Sequence, residues 1–161
     1  MTTWQLRRAT VDDLDAIMTI ETTTFVSDAW SRETMRAELA DGNGVYLVAF
    51  PVGHPDRIEA YAGLRAPHRA PQADIQTIAV AESARRQGLG RVLMQQLLNE
   101  ARGRGASEVF LEVRADNPNA KALYDSLDFE QIAVRPHYYQ PDGVDAIVMR
   151  HTLREPGARP A

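Results

Sequence analysis

The sequence predicts one mixed α/β (α+β) domain, a central mixed sheet of about seven strands covered by about four helices. Three observations carry this. Short apolar stretches alternate with helical periodicity in the second half of the chain, which implies parallel pairing around the two later helices. The chain has 161 residues, 44% hydrophobic and 25% charged, the size and balance of one self-sufficient core. No repeat, low-complexity tract or internal linker divides it. Residues 1–153 read as a single domain, and 154–161 (REPGARPA) as a disordered tail with little to bury.

The elements follow in order. Residues 4–8 make a short strand. Thr10 is an N-cap candidate, followed by Asp12, Asp13 and Asp15 in the first turn, where a helix favours negative charge. Leu14, Ile17, Met18, Glu21 and Phe25 recur at helical spacing and carry a first helix to Phe25. Ser31 caps a second, short helix through Ala40, which Asp41-Gly42-Asn43-Gly44 ends. Strands at 45–50 and 58–64 flank a Pro/Gly/Asp turn, and 65–73, with Pro67 and Pro71, is a loop. Residues 74–80 (DIQTIAV) alternate as a strand, with Ile75, Thr77 and Ala79 on one face and Gln76, Ile78 and Val80 on the other. Residues 81–90 break that strand and open a long helix. Leu89, Val92, Leu93, Leu97 and Ala101 form its stripe, and Gly103 and Gly105 stop it. A strand at 108–114 precedes a helix that starts near Pro118 and runs to Leu127. Strands at 130–135 and 145–153 close the chain around a long loop, 136–144.

Composition excludes several classes. A net charge of −4 argues against a general nucleic-acid binder. The absence of cysteine excludes a disulfide scaffold, a thiol nucleophile and any thiolate metal site. His54, His68, His137 and His151 lack metal-ligand spacing, so no metal is expected. No apolar run approaches the roughly 20 residues of a membrane span, and residues 1–10 lack a signal-peptide apolar region. The expectation is a soluble, cytoplasmic protein with no membrane partner, a monomer or weak homodimer.

Two constellations bear chemistry. The first is Arg85-Arg86-Gln87-Gly88-Leu89-Gly90-Arg91, set between a strand and a helix. Its glycines let backbone approach a ligand, and the helix start adds partial positive charge. Arg85, Arg86, Arg91, Arg102 and Arg104 face only Glu82 and Glu100, a local excess that suits a polyphosphate. No Gly-Lys-Ser/Thr follows, and Leu93 stands where a dinucleotide fingerprint needs its third glycine. On spacing alone, an anion site and a solvated arginine face stand level. The second constellation is Leu111-Glu112-Val113-Arg114 with Tyr124. A buried Glu112 would have a raised pKa and could act as a base, but a lone strand glutamate more often faces solvent. Tyr124 could be a hydroxyl acid, although a core tyrosine is commoner. Tyr138 and Tyr139 fit either packing or a peptide groove. Trp30 is more often core than ligand-facing.

At this point the residues resemble a family. IAV at 78–80, RRQGLG at 85–90, LEVR at 111–114, Asn117 and ALY at 122–124 match the GCN5-related N-acetyltransferases (GNAT) in order and spacing. The resemblance covers residues 3 to 152. LEVRADNPNAKALYDSLDF (111–129) and RPHYYQPDGVDAIVMR (135–150) resemble its ribosomal-protein-alanine N-acetyltransferase branch, and so does a first helix followed by Trp30-Ser31. Two departures stand out: Asp128 where that branch has Gly before Phe129, and the long 65–73 loop, which is expected to border the peptide groove.

The resemblance implies the GNAT fold, whose central parallel strands splay apart around acetyl-CoA, the cosubstrate. The splayed pair would be 74–80 and 108–114. The backbone of Ile78, Ala79 and Val80 would hold the pantetheine arm. The amides of Arg86, Gln87, Gly88, Leu89, Gly90 and Arg91, with Arg85 beside them, would hold the pyrophosphate, and Asn117 would contact the pantetheine end. Glu112 would be the general base, through a water, and Tyr124 the general acid or else mainly a hydrogen-bond donor to the departing sulfur. A backbone N–H of 74–80 would meet the carbonyl oxygen. Trp30, Tyr138 and Tyr139 would bind the acceptor, the N-terminus of a ribosomal protein beginning with alanine. Residues 11–41 hold eight acids against Arg32 and Arg36, which fits either an acidic rim for a basic tail or a solvated helix face. A lysine or small-amine acetyltransferase, a non-catalytic acetyl-CoA-binding module and a ribosome-associated structural protein are the alternatives. Net negative charge makes direct rRNA binding unfavourable.

Overall fold

Every expected element forms in a computed structural model of the chain, which describes residues 2–153. The expected tail at 154–161 lies outside the described residues. In chain order these are β1 (Trp4–Arg8), α1 (Leu14–Thr24), α2 (Arg32–Ala40), β2 (Gly44–Pro51), β3 (Ala60–Arg65), β4 (Gln72–Val80), α3 (Leu89–Gly103), β5 (Glu108–Arg114), α4 (Pro118–Ser126), β6 (Glu130–Tyr139) and β7 (Val144–Thr152). Among the described residues no helix is long and apolar enough to cross a membrane.

Local chemistry sets the starts. Ahead of α1, Thr10 and Asp13 form a reciprocal capping box, and Arg7 grips both oxygens of Asp13 at 2.8 Å. Ser31 caps α2 through the Thr34 N–H, and Asn117 caps α4 by accepting from the Ala120 N–H at 3.2 Å.

The strands form one seven-stranded sheet in the order β1-β2-β3-β4-β5-β7-β6. Each face buries its own core. One holds Leu89, Leu93, Met94, Leu97 and Ala101 of α3 with Tyr124 of α4, packed on Val45, Leu47, Ala62, Leu64, Val109, Leu111 and Val113. The other holds Leu14, Ile17 and Ile20 of α1 with Met35 of α2, packed on Tyr46, Val48, Tyr61 and Ala79. The period of two along a strand explains β2, which buries alternate residues on opposite faces. Each fully buried Leu, Ile or Met contributes roughly 1.5–3 kcal/mol.

Three expectations need correction. The first is the face assignment of β4. Gly63 pairs with Thr77, but Leu64 pairs with Ile75, so Gln76 is an extra, bulged residue. The bulge flips the alternation. Ile75 lies on the α3 face with Ile78 and Val80, whereas Ala79 turns to the α1 face. Thr77 turns with Ala79, since its hydroxyl reaches Glu21 of α1. A strict two-residue period could not anticipate that.

The second is the pairing around α4. β4 and β5 are parallel, as α3 requires, but β7 inserts between β5 and β6 and runs antiparallel to both. The third is the 136–144 loop. β6 continues to Tyr139, and its register slips between Arg135 and Tyr139 where Asp145 accepts the His137 N–H at 2.9 Å. Only 140–143 connect β6 to β7.

Candidate active site

The site begins where β4 and β5 stop pairing. Their ladder covers only Gln72, Ala73 and Asp74 against Glu108, Val109 and Phe110. Beyond it β4 stays bonded to β3 and β5 to β7, so the two central strands separate. Residues 75–80 and 111–114 thus present free edges to a wedge between them. Such edges hold unpaired N–H and C=O groups that an extended ligand can join, as in strand addition.

The Gly-rich loop closes one end of that wedge. Arg86 and Gly88 both adopt left-handed backbone, φ +66° and +77°. Gly88 caps α3, whose first helical bond runs from Val92 N–H to Gly88 C=O at 3.1 Å. The N–H groups of Leu89, Gly90 and Arg91 therefore have no partner within the helix, and a helix start of this kind suits an anion. Among the described residues, no ion pair engages Arg85, Arg86 or Arg91. Arg85 instead donates to the Val80 carbonyl at 3.0 Å, Gln87 accepts from Trp4 Nε1 at 3.0 Å, and Arg91 donates to Ser126 at 2.6 Å. The Leu89 side chain is buried in the core, leaving only its backbone to a ligand. At Gly90 an added Cβ would lie 3.2 Å from Leu123, so this glycine also lets α3 approach α4.

Glu112 lies on the other wall, between buried Leu111 and Val113, and faces solvent. The solvated reading of this residue is the correct one; it is not a buried carboxylate. It forms an ion pair with Arg135 at 3.1 Å. Arg135 in turn stacks over Tyr138 at 5.2 Å, and Tyr138 meets Tyr139 edge to face at 5.1 Å. Burial, then the Glu112 charge, raise the pKa of both tyrosines. Asp74 of β4 is raised by burial and by the same charge. The structure thus gathers Glu112, Tyr138 and Tyr139 on one patch.

Tyr124 sits on α4 in the α3-side core, and burial pushes its hydroxyl up to about 12. Asn117 uses its side-chain oxygen as the α4 cap. Trp30 is half-buried against the α1-side core, and its N–H donates to Glu21 at 2.9 Å. Arg69 N–H bonds Arg104 C=O, and Pro71 C=O accepts from Ser107 and Glu108, which fixes the 65–73 loop at the paired end of β4 and β5.

Two residues with no role in the sequence reading stand out. Glu21 is 1% exposed and accepts from the Tyr61 hydroxyl and the Trp30 N–H, tying α1 to β3 and to the 25–31 segment. Its signal was visible: a carboxylate inside the apolar stripe of α1. Arg114 pairs with acids from three loops, and no pattern in the sequence announces it. The acids of residues 11–41 are divided: Asp12 and Glu33 are exposed, and the others are mostly engaged. Asp13, Asp15, Asp28 and Asp41 each have an arginine partner, and Glu21 is buried.

The profile of the acetyltransferase (GNAT) family matches residues 14–129. The chain is 36% identical over 140 residues to an N-alpha-acetyltransferase RimI of Mycobacterium tuberculosis, covering 85% of each. It is 38% identical over 141 residues to an uncharacterized Mycobacterium leprae protein, of which it spans only 38%. Among solved structures, the ribosomal-protein-S18-alanine N-acetyltransferase from Escherichia coli superposes with a TM-score of 0.82, at 30% identity over 99% of both chains.

Proposed function

Since the chain belongs to the acetyltransferase (GNAT) family, we propose that it transfers acetyl from acetyl-CoA to the N-terminal amine of a ribosomal protein that begins with alanine. The wedge between β4 and β5 carries this reading, because it opens beside Glu112 and ends at the left-handed loop of Arg86 and Gly88. The names and extents of the relatives from Mycobacterium tuberculosis and Escherichia coli support it.

The residues fit the cosubstrate. A free strand edge at Ile78, Ala79 and Val80 suits an amide-bearing arm, and the α3 start with Arg85, Arg86 and Arg91 suits a pyrophosphate. Asn117 lies at the start of α4, with its side chain shared with the cap. Bound acetyl-CoA would supply an activated acetyl thioester.

The chain's own work is proton management and orientation. An α-amine has a pKa of about 7.7–8.0 and a lysine amine about 10.4, a gap of roughly 3.4 kcal/mol, so an N-terminal acceptor asks less of its base. Glu112 is open to solvent and held by Arg135, which suits a base working through one water. Tyr124 is a poorer acid than a free phenol. With its hydroxyl at about 12 and a thiol near 8.5, full transfer is uphill by about 5 kcal/mol. Tyr124 therefore serves as a hydrogen-bond donor to the departing sulfur. Trp30, Tyr138 and Tyr139 flank the acceptor.

The test is release of free CoA from acetyl-CoA with two peptides. One begins with a free alanine and copies the N-terminus of ribosomal protein bS18. Its twin is blocked at the N-terminus and carries an internal lysine. Turnover on the free amine alone, lowered about 100-fold or more in Glu112→Gln, is the expected result. Preference for the blocked lysine peptide would overturn the Nα reading, and acetyl-CoA binding without turnover would favour a non-catalytic module.

A further inference from the structure

Arg114 ends β5 at a junction of three segments. Its guanidinium pairs with Asp28 of the α1–α2 connection at 3.4 Å, Asp116 of the β5–α4 turn at 3.0 Å and Asp142 of the β6–β7 turn at 3.0 Å. It also stands over the Tyr139 ring at 5.1 Å. Ser27 donates to Asp142 at 2.7 Å, so the α1–α2 connection and the β6–β7 turn also touch directly. These two segments are 115 positions apart in sequence. Arg114 and Glu112 are two residues apart on β5 and so share a face.

An arginine on a protein surface ordinarily contributes little through one exposed pair. This one differs in number and placement. Three carboxylates surround one guanidinium: Asp116 and Asp142 accept its hydrogen bonds, and the buried Nη1 faces Asp28 as an ion pair without one, with only 18% of the side chain exposed. The hydrogen bond from Arg114 is the main cause of the lowered Asp116 pKa. For Asp142 it comes second, after the one from Ser27.

We infer that Arg114 is a positioning residue that clasps the α1–α2 connection to the β6–β7 turn and thereby sets affinity for the acceptor peptide. The inference rests on the proposed function, in which those two segments flank the acceptor. The clasp holds Tyr139 in place through its ring face and fixes the spacing of the two walls. Among the described residues its ion pairs reach neither the Gly-rich loop nor Tyr124, and two of its three carboxylates, Asp28 and Asp142, lie on the acceptor side, whereas the Asp116 arm and the Arg114 carbonyl, which accepts the Asn117 N–H at 3.0 Å, adjoin the α4 start. The acceptor side therefore carries most of its effect.

The experiment compares wild type with Arg114→Gln, Arg114→Lys and Asp142→Asn. Steady-state kinetics use acetyl-CoA and the alanine-starting peptide. Amide hydrogen exchange is read on the same proteins without substrate, with β2, β3 and α3 as the folding control. Arg114→Gln should raise the peptide KM about tenfold, while kcat and the acetyl-CoA KM stay within about twofold. Exchange should quicken in both 25–31 and 140–143. Arg114→Lys should recover part of the loss, since it keeps the charge but not the fork. Asp142→Asn should loosen the same two segments. An unchanged peptide KM, an equal fall in kcat, or faster exchange in one segment only would overturn the clasp. The exchange reading needs no turnover. Coupled loosening in a protein that acetylates neither peptide would sink the function and keep the clasp, and turnover with unaltered exchange would do the reverse.

Discussion

The backbone N–H of Phe129 donates to the carbonyl of Tyr124 at 3.1 Å, and the two rings meet edge to face at 6.0 Å. Asp128 N–H bonds Asp125 C=O at 3.1 Å, and Asp128 itself is left-handed at φ +64°. This is a Schellman end to α4, with its hydrophobic contact made by Tyr124 and Phe129. Asp128 occupies the position that glycine fills without strain. Replacing Asp128 with Gly should stabilise the fold by about 0.5–1 kcal/mol, net of the entropy glycine adds to the unfolded chain. Thermal unfolding reads this as a raised Tm. A lowered Tm would mean that the Asp128 side chain contributes more than its backbone strain costs.

Gly88 and Gly90 should part company. Gly88 is left-handed with open space around it, so Gly88→Ala strains the backbone by about 1 kcal/mol. It should also raise the acetyl-CoA KM about tenfold by displacing the α3 start. Gly90→Ala meets only the flexible end of Leu123 and gains helix propensity, so stability should move by less than about 1 kcal/mol. Denaturant melts and acetyl-CoA titration separate the two. Normal cosubstrate affinity in Gly88→Ala would remove the need for that backbone conformation.

Gly63 is required by packing. A Cβ there would sit 2.2 Å from the Tyr46 ring, which is buried in the α1-side core. Gly63→Ala should cost about 3 kcal/mol, and Tyr46→Leu in the same chain should recover part of it. Chemical denaturation of both single variants and the double variant checks the coupling. Additive effects would show that the two sites do not meet.

The Arg7–Asp13 pair makes acid stability predictable. The hydrogen bond from Arg7 is the main reason the Asp13 pKa lies below its ordinary value. A depressed folded-state pKa adds stability that is fully present above the unfolded pKa and is lost as pH falls through the folded one. Arg7→Gln should therefore cost about 1 kcal/mol at pH 7, discounted for the partial exposure of Arg7, and progressively less as pH falls below the ordinary aspartate pKa of about 3.9 and through the depressed folded-state one. Melts from pH 2 to 7 test it. A constant gap across that range would assign the loss to packing of Arg7 on Phe50 instead.

The element order was legible because it rests on local rules. The alternation of β2, the stripe of α3, the Thr10 and Ser31 caps and the Pro118 start of α4 each lie within a few residues and demand nothing remote. The Gly-rich loop was legible for the same reason. Glu112 was legible as a residue but not as an environment. Its exposure follows from which face of β5 the helices leave uncovered, and its partner Arg135 comes from β6.

By itself, the sequence determined the order of elements, the single-domain size, the positive loop at the start of α3 and the family the chain resembles. Those features are encoded in short-range periodicity, capping and motif spacing. Only the tertiary structure decided that Gln76 bulges, that β7 parts β5 from β6, that β4 and β5 separate after three paired residues, and that Arg114 draws three loops together. Strand pairing and ion pairing join residues far apart in sequence. Which partners meet is settled by how two cores pack on opposite faces of one twisted sheet, and no local pattern records that choice.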